Sequence, residues 1–354
     1  MKSSYSADDV EILLKDITGL VTPQPAQVRE RHIQSGGHYC ELLPLEYKPS
    51  EKYMAAYENA LRHYAGATAR AVGVLAEKIY RKKGKDLTVV SLARAGIPLG
   101  ILIRRYLKRR YGADVKHYAI SIIRGKGIDR NAADYILARR RPESVQFVDG
   151  WIGKGAILAQ LREALEEYPE LDSDLGVISD PAGMTDLCGT REDILIPSAC
   201  LNATVTGLIS RTFLRPDIIG PRDFHGAAYY EELEPEDLSL QFLEAIEREF
   251  AYGEENDPDE LVPGERNGFD TAREIAAAYG VEDISFIKPG IGETTRVLLR
   301  RVPWKVIVNE KYLKAEELRH IYQLAAERHV ACEPSRVDLG RYKVCGMIKK
   351  LADV

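Results

Sequence analysis

Apolar and polar positions first fall into helical spacing between Ala7 and Lys15, which predicts a short amphipathic helix. The stretch after it, rich in Pro, Gln and Gly, runs without period to about Gly37, and residues 1–45 read as an extension packed on the domain that follows. From Ser50, a residue suited to cap a helix start, to Lys83, apolar and aromatic residues recur at helical spacing with no proline, predicting one long helix. The period then changes. Leu87 to Gly96 is a β-branched apolar run opening into a small-residue loop, and a helical pattern follows it.

This strand, loop, helix unit recurs as Val115 to Ile122 leading into Arg124–Ala133, and as Val145 to Val148 leading into Asp149–Gly155 and a helix from Ala156. Buried strands that alternate with helices build a parallel sheet covered on both faces. Leu175–Ser179 and Asp193–Pro197 are two further apolar runs that extend the same sheet. The pattern thus predicts an α/β domain over residues 46–252. The acidic, Pro/Gly/Asn-rich stretch Gly253 to Gly268 is the predicted linker, and with the helix Thr271 to Tyr279 it forms a connecting segment, residues 253–284. Residues 285–354 alternate helix-like and strand-like runs, Trp304 to Glu310 being the clearest strand, and predict a smaller α/β domain.

Composition adds three constraints. Hydrophobic residues at 45% and charged residues at 29% match a water-exposed globular chain, and no apolar run nears the length that crosses a bilayer, so no membrane partner is expected. The polar, acidic N-terminus is unlike an export signal, which predicts a cytoplasmic protein. The five cysteines are scattered and never spaced Cys-x-x-Cys, giving no metal site and no disulfide framework. Charge is uneven: Phe286 to Val354 carries 14 Lys and Arg against 8 Asp and Glu, although the whole chain stands at −5. The basic face is C-terminal.

The chemistry concentrates after the strands. Asp149 ends an apolar strand, and Gly150, Gly153, Lys154, Gly155 and Ala156 carry the chain through a glycine-rich turn into a helix start. A carboxylate there accepts sugar hydroxyls, while backbone N–H groups and Lys154 suit a phosphate. An ordinary βα turn is the plain alternative. A Walker A loop is excluded by the short spacing and the missing Ser or Thr. Ala93, Arg94, Ala95 and Gly96 form a second loop, with Arg94 as a charged clamp, and Arg124, Lys126 and Arg130 lie on a third that could close over a polyphosphate.

These loops resemble those of type I phosphoribosyltransferases. The resemblance implies that Asp149 holds ribose hydroxyls, Gly153, Lys154 and Gly155 the 5′-phosphate, and Arg94 the pyrophosphate; Gly150 departs from the family's second acid, and Gly153 and Lys154 stand where the family's loop usually carries Thr. Asp149, Arg94 and Lys126 are the implied catalytic group, with Arg124 among the substrate contacts. Taken with Ile178 to Phe213 and His225 to Tyr230, the chain from about Tyr47 to Phe250 resembles the StiP group of tellurite-resistance and stress operons, described as phosphoribosyltransferases. Asp180, Asn202, Arg211 and His225 are acceptor-side candidates. The implied reaction uses 5-phosphoribosyl 1-pyrophosphate with Mg²⁺ to make a nucleotide- or nucleoside-like product, the acceptor being open, in a monomer or a homodimer.

Two other classes stay open at this point. A nucleotide-sensing RNA-binding regulator would need the same pocket without turnover. The StiP label is also attached to a cysteine protease, for which Cys200, just before a predicted helix and with His225 and Asp223 downstream, is the candidate nucleophile; a buried structural thiol is the alternative. Lys288 to Arg300 followed by Lys305–Glu310 and a helix from Ala315 resembles the Pelota and kink-turn-binding superfamily. That resemblance implies RNA contacts at Gly290, Glu293, Thr294 and Arg296, in keeping with the local basic excess.

Overall fold

The computed structural model describes residues 1–252 and 266–350. Most of the predicted linker therefore lies outside the described residues. Ser50 accepts a hydrogen bond from Tyr53 N and starts a helix that runs Glu51–Lys83, stopped at Gly84, whose φ of 75° suits glycine, with Arg81, Lys82 and Lys83 in the last turn where the dipole favours cations. The three predicted βα units form as Thr88–Ala93 with Gly96–Tyr111, Lys116–Ile123 with Arg130–Leu137, and Val145–Trp151 with Ala156–Ala164. Their strands are buried on both faces, the state a continuous apolar run encodes.

Six strands line up in parallel in the order Glu11–Ile12, Lys116–Ile123, Thr88–Ala93, Val145–Trp151, Leu175–Ser179, Cys188–Thr190. The short strand Gly127–Ile128 folds back antiparallel on Lys116–Ile123, so the loop read as a mobile lid is a tight basic hairpin. Glu51–Lys83, Gly96–Tyr111 and Ser239–Arg248 pack on one face, around Leu75, Ile101 and Phe242. Arg130–Leu137, Ala156–Ala164 and Gly268–Tyr279 cover the other, around Phe147, Leu161 and Ile275. The order in which successive strands are added reverses between the parallel neighbours Thr88–Ala93 and Val145–Trp151, which opens a crevice at their carboxyl ends, the usual ligand position in such sheets.

The smaller C-terminal domain has strands ordered Ile287–Pro289, Val344–Ile348, Pro303–Val308, Ala331–Pro334, the last pair parallel and the others antiparallel. Helices Ile291–Arg300 and Arg319–Glu327 pack on this sheet. Its apolar side chains run into the cores of the first domain: Ile291 and Leu298 join one cluster, Ile287 and Met347 the other. Among the described residues no helix is long and apolar enough to cross a membrane.

Three sequence expectations need correction. Ala7–Lys15 is not a helix: Glu11–Ile12 pairs with Tyr118 and Ala119 at the sheet edge, and Lys15–Asp16 pairs with Gly226–Ala227. Edge pairing wins because it satisfies an otherwise open strand. Asp193–Pro197 is not a strand, since its carboxylate turns to the C-terminal domain, and Cys188–Thr190 takes the place in the sheet. The helix expected after Cys200 is only a 3-10 turn, Ala203–Val205.

The N-terminal segment is held by charge and by one imidazole. Asp9 pairs with Arg105 at 2.6 Å, and its carbonyl accepts from His117 Nδ1 at 2.9 Å, leaving His117 Nε2 to accept from the Ser91 hydroxyl at 2.7 Å. Burial lowers the His117 pKa from 6.5 to about 4. Between those values the unfolded chain binds the extra proton, so this residue withdraws stability as pH falls from 6.5 to about 4, by up to about 3 kcal/mol. The variant His117→Gln should flatten the acid limb of thermal stability against pH over that window; an unchanged limb would show that His117 is not held neutral.

Candidate active-site cleft

The crevice at the switch point deepens into a cleft of about 1010 Å³ walled by both domains. Its floor is the turn that follows Val145–Trp151. Gly155, at φ 97°, begins the helix Ala156–Ala164, and a Cβ there would lie 2.8 Å from Met184. Asp149 is enclosed at the strand end, accepts a hydrogen bond from Gly150 N at 2.8 Å, and is pushed up to about 6 by burial against the pull of Arg296. Lys154 does not point into open space. Its Nζ donates to the carbonyls of Ile284 and, at 2.9 Å, Ile287, and burial lowers its pKa to about 7.

The C-terminal domain docks on this turn through matched polar contacts. Tyr342 OH donates to Gly153 O at 2.6 Å. The helix Ile291–Arg300 begins after Gly290, which has no side chain to cap it. Asp193 from the first domain supplies the missing acceptor: its two carboxylate oxygens take Ile291 N and Lys343 N, each at 2.9 Å. Burial raises Asp193 to about 6. Gly292 lies flat on Trp151, where an added Cβ would stand 2.3 Å from the indole. One turn on, Arg296 stacks over the same ring at 4.2 Å and pairs with Glu293 at 3.2 Å.

A smaller cavity of about 180 Å³ opens beside Ala93, Arg94 and Ala95. Arg94 is buried and already paired, donating to Glu46 at 2.9 Å and to Ile209 O at 2.6 Å. Gly96 permits close packing, since a Cβ would meet Val148 O at 2.9 Å. Arg300 donates to the Asn202 side-chain carbonyl. Arg211 donates to Tyr39 O, lies over the Tyr39 ring at 4.5 Å, and falls to about 9 through burial. Arg124 and Lys126 are exposed at the hairpin tip, whereas Arg130 pairs with Glu167 outside the cleft. Asp180 closes its own turn by accepting from Met184 N and Thr185 N and pairing with Arg191. Ala156 is the first helical residue of the floor turn.

Cys200 and Cys40 are both buried and differ in the groups that meet them. Cys200 is buried and pushed up to about 12 by burial alone, with no charged group or imidazole acting on it. His225 instead hydrogen-bonds Ser121, and Asp223 pairs with Lys15, so the three residues do not assemble. Cys40, which the sequence reading passed over, contacts an imidazole: His38 Nδ1 lies 2.9 Å from Cys40 Sγ. His38 Nε2 lies 2.9 Å from the Arg124 carbonyl, which can only accept, so Nε2 carries the proton, and the Nδ1 lone pair faces both the Cys40 sulfur and the Cys40 backbone N–H, which donates to it at 3.3 Å. Burial raises Cys40 to about 11, opposed by Arg211 and Lys126. Tyr39, between the pair, lines the cleft. The His-Tyr-Cys spacing after two glycines was the readable signal. Among the described residues no group of three or more His, Cys, Asp or Glu could hold a metal ion.

Residues 3–247 match the family model described as tellurite-like stress resistance cysteine protease StiP, and residues 266–350 match that of the PELOTA RNA binding domain. A protein of Acinetobacter baylyi named cysteine protease StiP is 32% identical over 339 residues, covering 91% of this chain and 88% of that protein. The chain belongs to the StiP family.

Membership in the StiP family overturns the transferase expectation. Its description and the Acinetobacter relative's name both specify a cysteine protease, so the reading of a pyrophosphate-releasing phosphoribosyltransferase is corrected to that of a hydrolase family. The loops that suggested a sugar phosphate are, in this structure, partly consumed by folding: Lys154 seals the domain junction and Arg94 is neutralised by Glu46. The StiP and Pelota resemblances themselves hold.

The junction generates a direct test. Asp193→Ala leaves two buried backbone N–H groups without acceptors, a cost of about 2–4 kcal/mol, and Gly292→Val drives a side chain into Trp151. Both variants should convert a single calorimetric unfolding transition into two, with the C-terminal domain melting first; one unshifted transition would show that the domains do not depend on these contacts.

Proposed function

We propose that the chain is a cysteine-dependent hydrolase of peptide bonds in which Cys40 is the nucleophile and His38 its base, joined to a C-terminal domain that binds RNA. The observation that carries this is the proton placement on His38, fixed by the Arg124 carbonyl so that the unprotonated Nδ1, which also accepts from Cys40 N, faces the thiol at 2.9 Å. The family description and the Acinetobacter relative's name support the reaction class, and the Pelota-type match supports RNA binding.

A thiol held near 11 is almost wholly protonated at neutral pH, so the thiolate forms as it attacks. Sγ bonds to the peptide carbonyl carbon while its proton passes to His38 Nδ1. The imidazolium then returns that proton to the departing amine as the C–N bond breaks. Water hydrolyses the resulting thioester and restores the thiol. Arg211 and Lys126, whose charges already lower the Cys40 pKa, stabilise the thiolate in transit. Neither a phosphoribosyl donor nor Mg²⁺ takes part in such a cycle.

The experiment is cleavage of a fluorescently labelled unfolded protein by the full chain. Cys40→Ser and His38→Ala should each lower kcat/KM by at least about a thousandfold, while Cys200→Ala stays within about twofold of the parent. Loss confined to Cys200→Ala would move the nucleophile there and refute the Cys40 assignment.

A further inference from the structure

The residues by which a Pelota-type domain is expected to meet RNA do not face outward here. Thr294 and Thr295 are fully buried, and Glu293 and Arg296 line the cleft against the first domain. An RNA approaching the outer surface of this domain cannot reach them. The cleft, in contrast, has the composition of a nucleic-acid groove. Eight Lys and Arg line it against four Asp and Glu, leaving a positive excess of four. Five of these eight cations are already engaged: Lys154 by two carbonyls, Arg296 by Glu293, Arg301 by Glu30, Lys350 by Glu282 and Arg211 by Tyr39 O. Lys288 and Arg124 have neither a hydrogen bond nor an ion pair from their side chains among the described residues, and they line the cleft one from each domain.

Aromatic rings accompany the charge. Trp304, 40% exposed, stands at the mouth beside Lys349 and Lys350, and Tyr39 lies deeper on the other wall. Base stacking on such rings with cations along the backbone is the mode by which single strands are held, whereas a duplex is read across its grooves from outside. A volume near 1010 Å³ stands at the upper end of small-molecule pockets and leaves room for a strand end.

We infer that this protein grips single-stranded RNA inside the cleft between its two domains, Lys288 and Arg124 on the phosphates and Trp304 under a base. The inference rests on the RNA-binding reading of the C-terminal domain but not on the hydrolase reading. It places half of the RNA site on the first domain. It also brings the strand to the hairpin whose Arg124 carbonyl orients His38.

The test is fluorescence anisotropy of an end-labelled oligouridylate of about 12 nucleotides with the full chain across a salt series. Lys288→Ala/Arg124→Ala should weaken binding at least about tenfold and reduce the slope of log Kd on log salt by about 1.4, the share of two phosphate contacts. Trp304→Ala should weaken binding without changing that slope. The outer-surface control Lys311→Ala/Lys314→Ala should bind as the parent does, and unfolding midpoints should report that each variant is folded. Losses confined to the outer-surface control would overturn the cleft assignment while leaving RNA binding in place. A parent chain that binds no RNA would end both the assignment and the reading beneath it. Equal competition by an oligoglutamate peptide would reassign the cleft to an acidic polypeptide.

Discussion

The buried carboxylate of Asp193 is the constraint on which the arrangement of the molecule depends. A helix that begins after glycine leaves its first N–H groups without a partner, and Gly290 is such a start. Asp193 reaches across from the sheet domain and takes Ile291 N with one oxygen and Lys343 N with the other. The carboxylate is thereby satisfied only when both domains are in place, and the domains are in register only when it is satisfied. Lys154 repeats the logic with opposite sign, its ammonium spent on two carbonyls of the chain that enters the C-terminal domain. Buried charges of this kind contribute little net stability but penalise every other docking heavily.

That docking creates the cleft rather than decorating it. Trp151 receives Gly292 on one side and Arg296 on its face, so the glycine-rich turn of the first domain becomes a floor and the helix of the second a wall. Cations from both domains then face one another with too few carboxylates to balance them. The hairpin that closes one end of this space accepts a hydrogen bond from His38 Nε2 through its Arg124 carbonyl, which ties the charged cleft to the segment that carries Cys40. The proposed thiol–imidazole centre and the Pelota-type domain are thus linked by one loop.

Much of this was legible in the chain. The long helix from Ser50, the three βα units, the largely apolar buried strands of a parallel sheet and the basic C-terminal domain follow from period and cap residues, which are local properties. So did the StiP and Pelota resemblances, carried by contiguous motifs. The function inferred from the loops did not survive, because a glycine turn with a lysine has the same sequence whether it binds a phosphate or another domain.

By itself the sequence determined the long helix, the three βα units and where apolar surface must be hidden, because those depend on neighbours within a few residues, whereas the edge pairing of Glu11–Ile12 and the turn at Asp193 depended on distant partners. Only the tertiary structure decided what the polar side chains do. Lys154 became a clasp and Arg94 a paired core charge; Cys200 was sealed away, and Cys40 acquired an imidazole with a fixed proton. The physical reason is that a side chain's role is set by whichever group meets it once the chain has closed. Glu46 meets Arg94 across 48 positions, Ile287 meets Lys154 across 133, and the Arg124 carbonyl meets His38 across 86, separations over which no local pattern carries information.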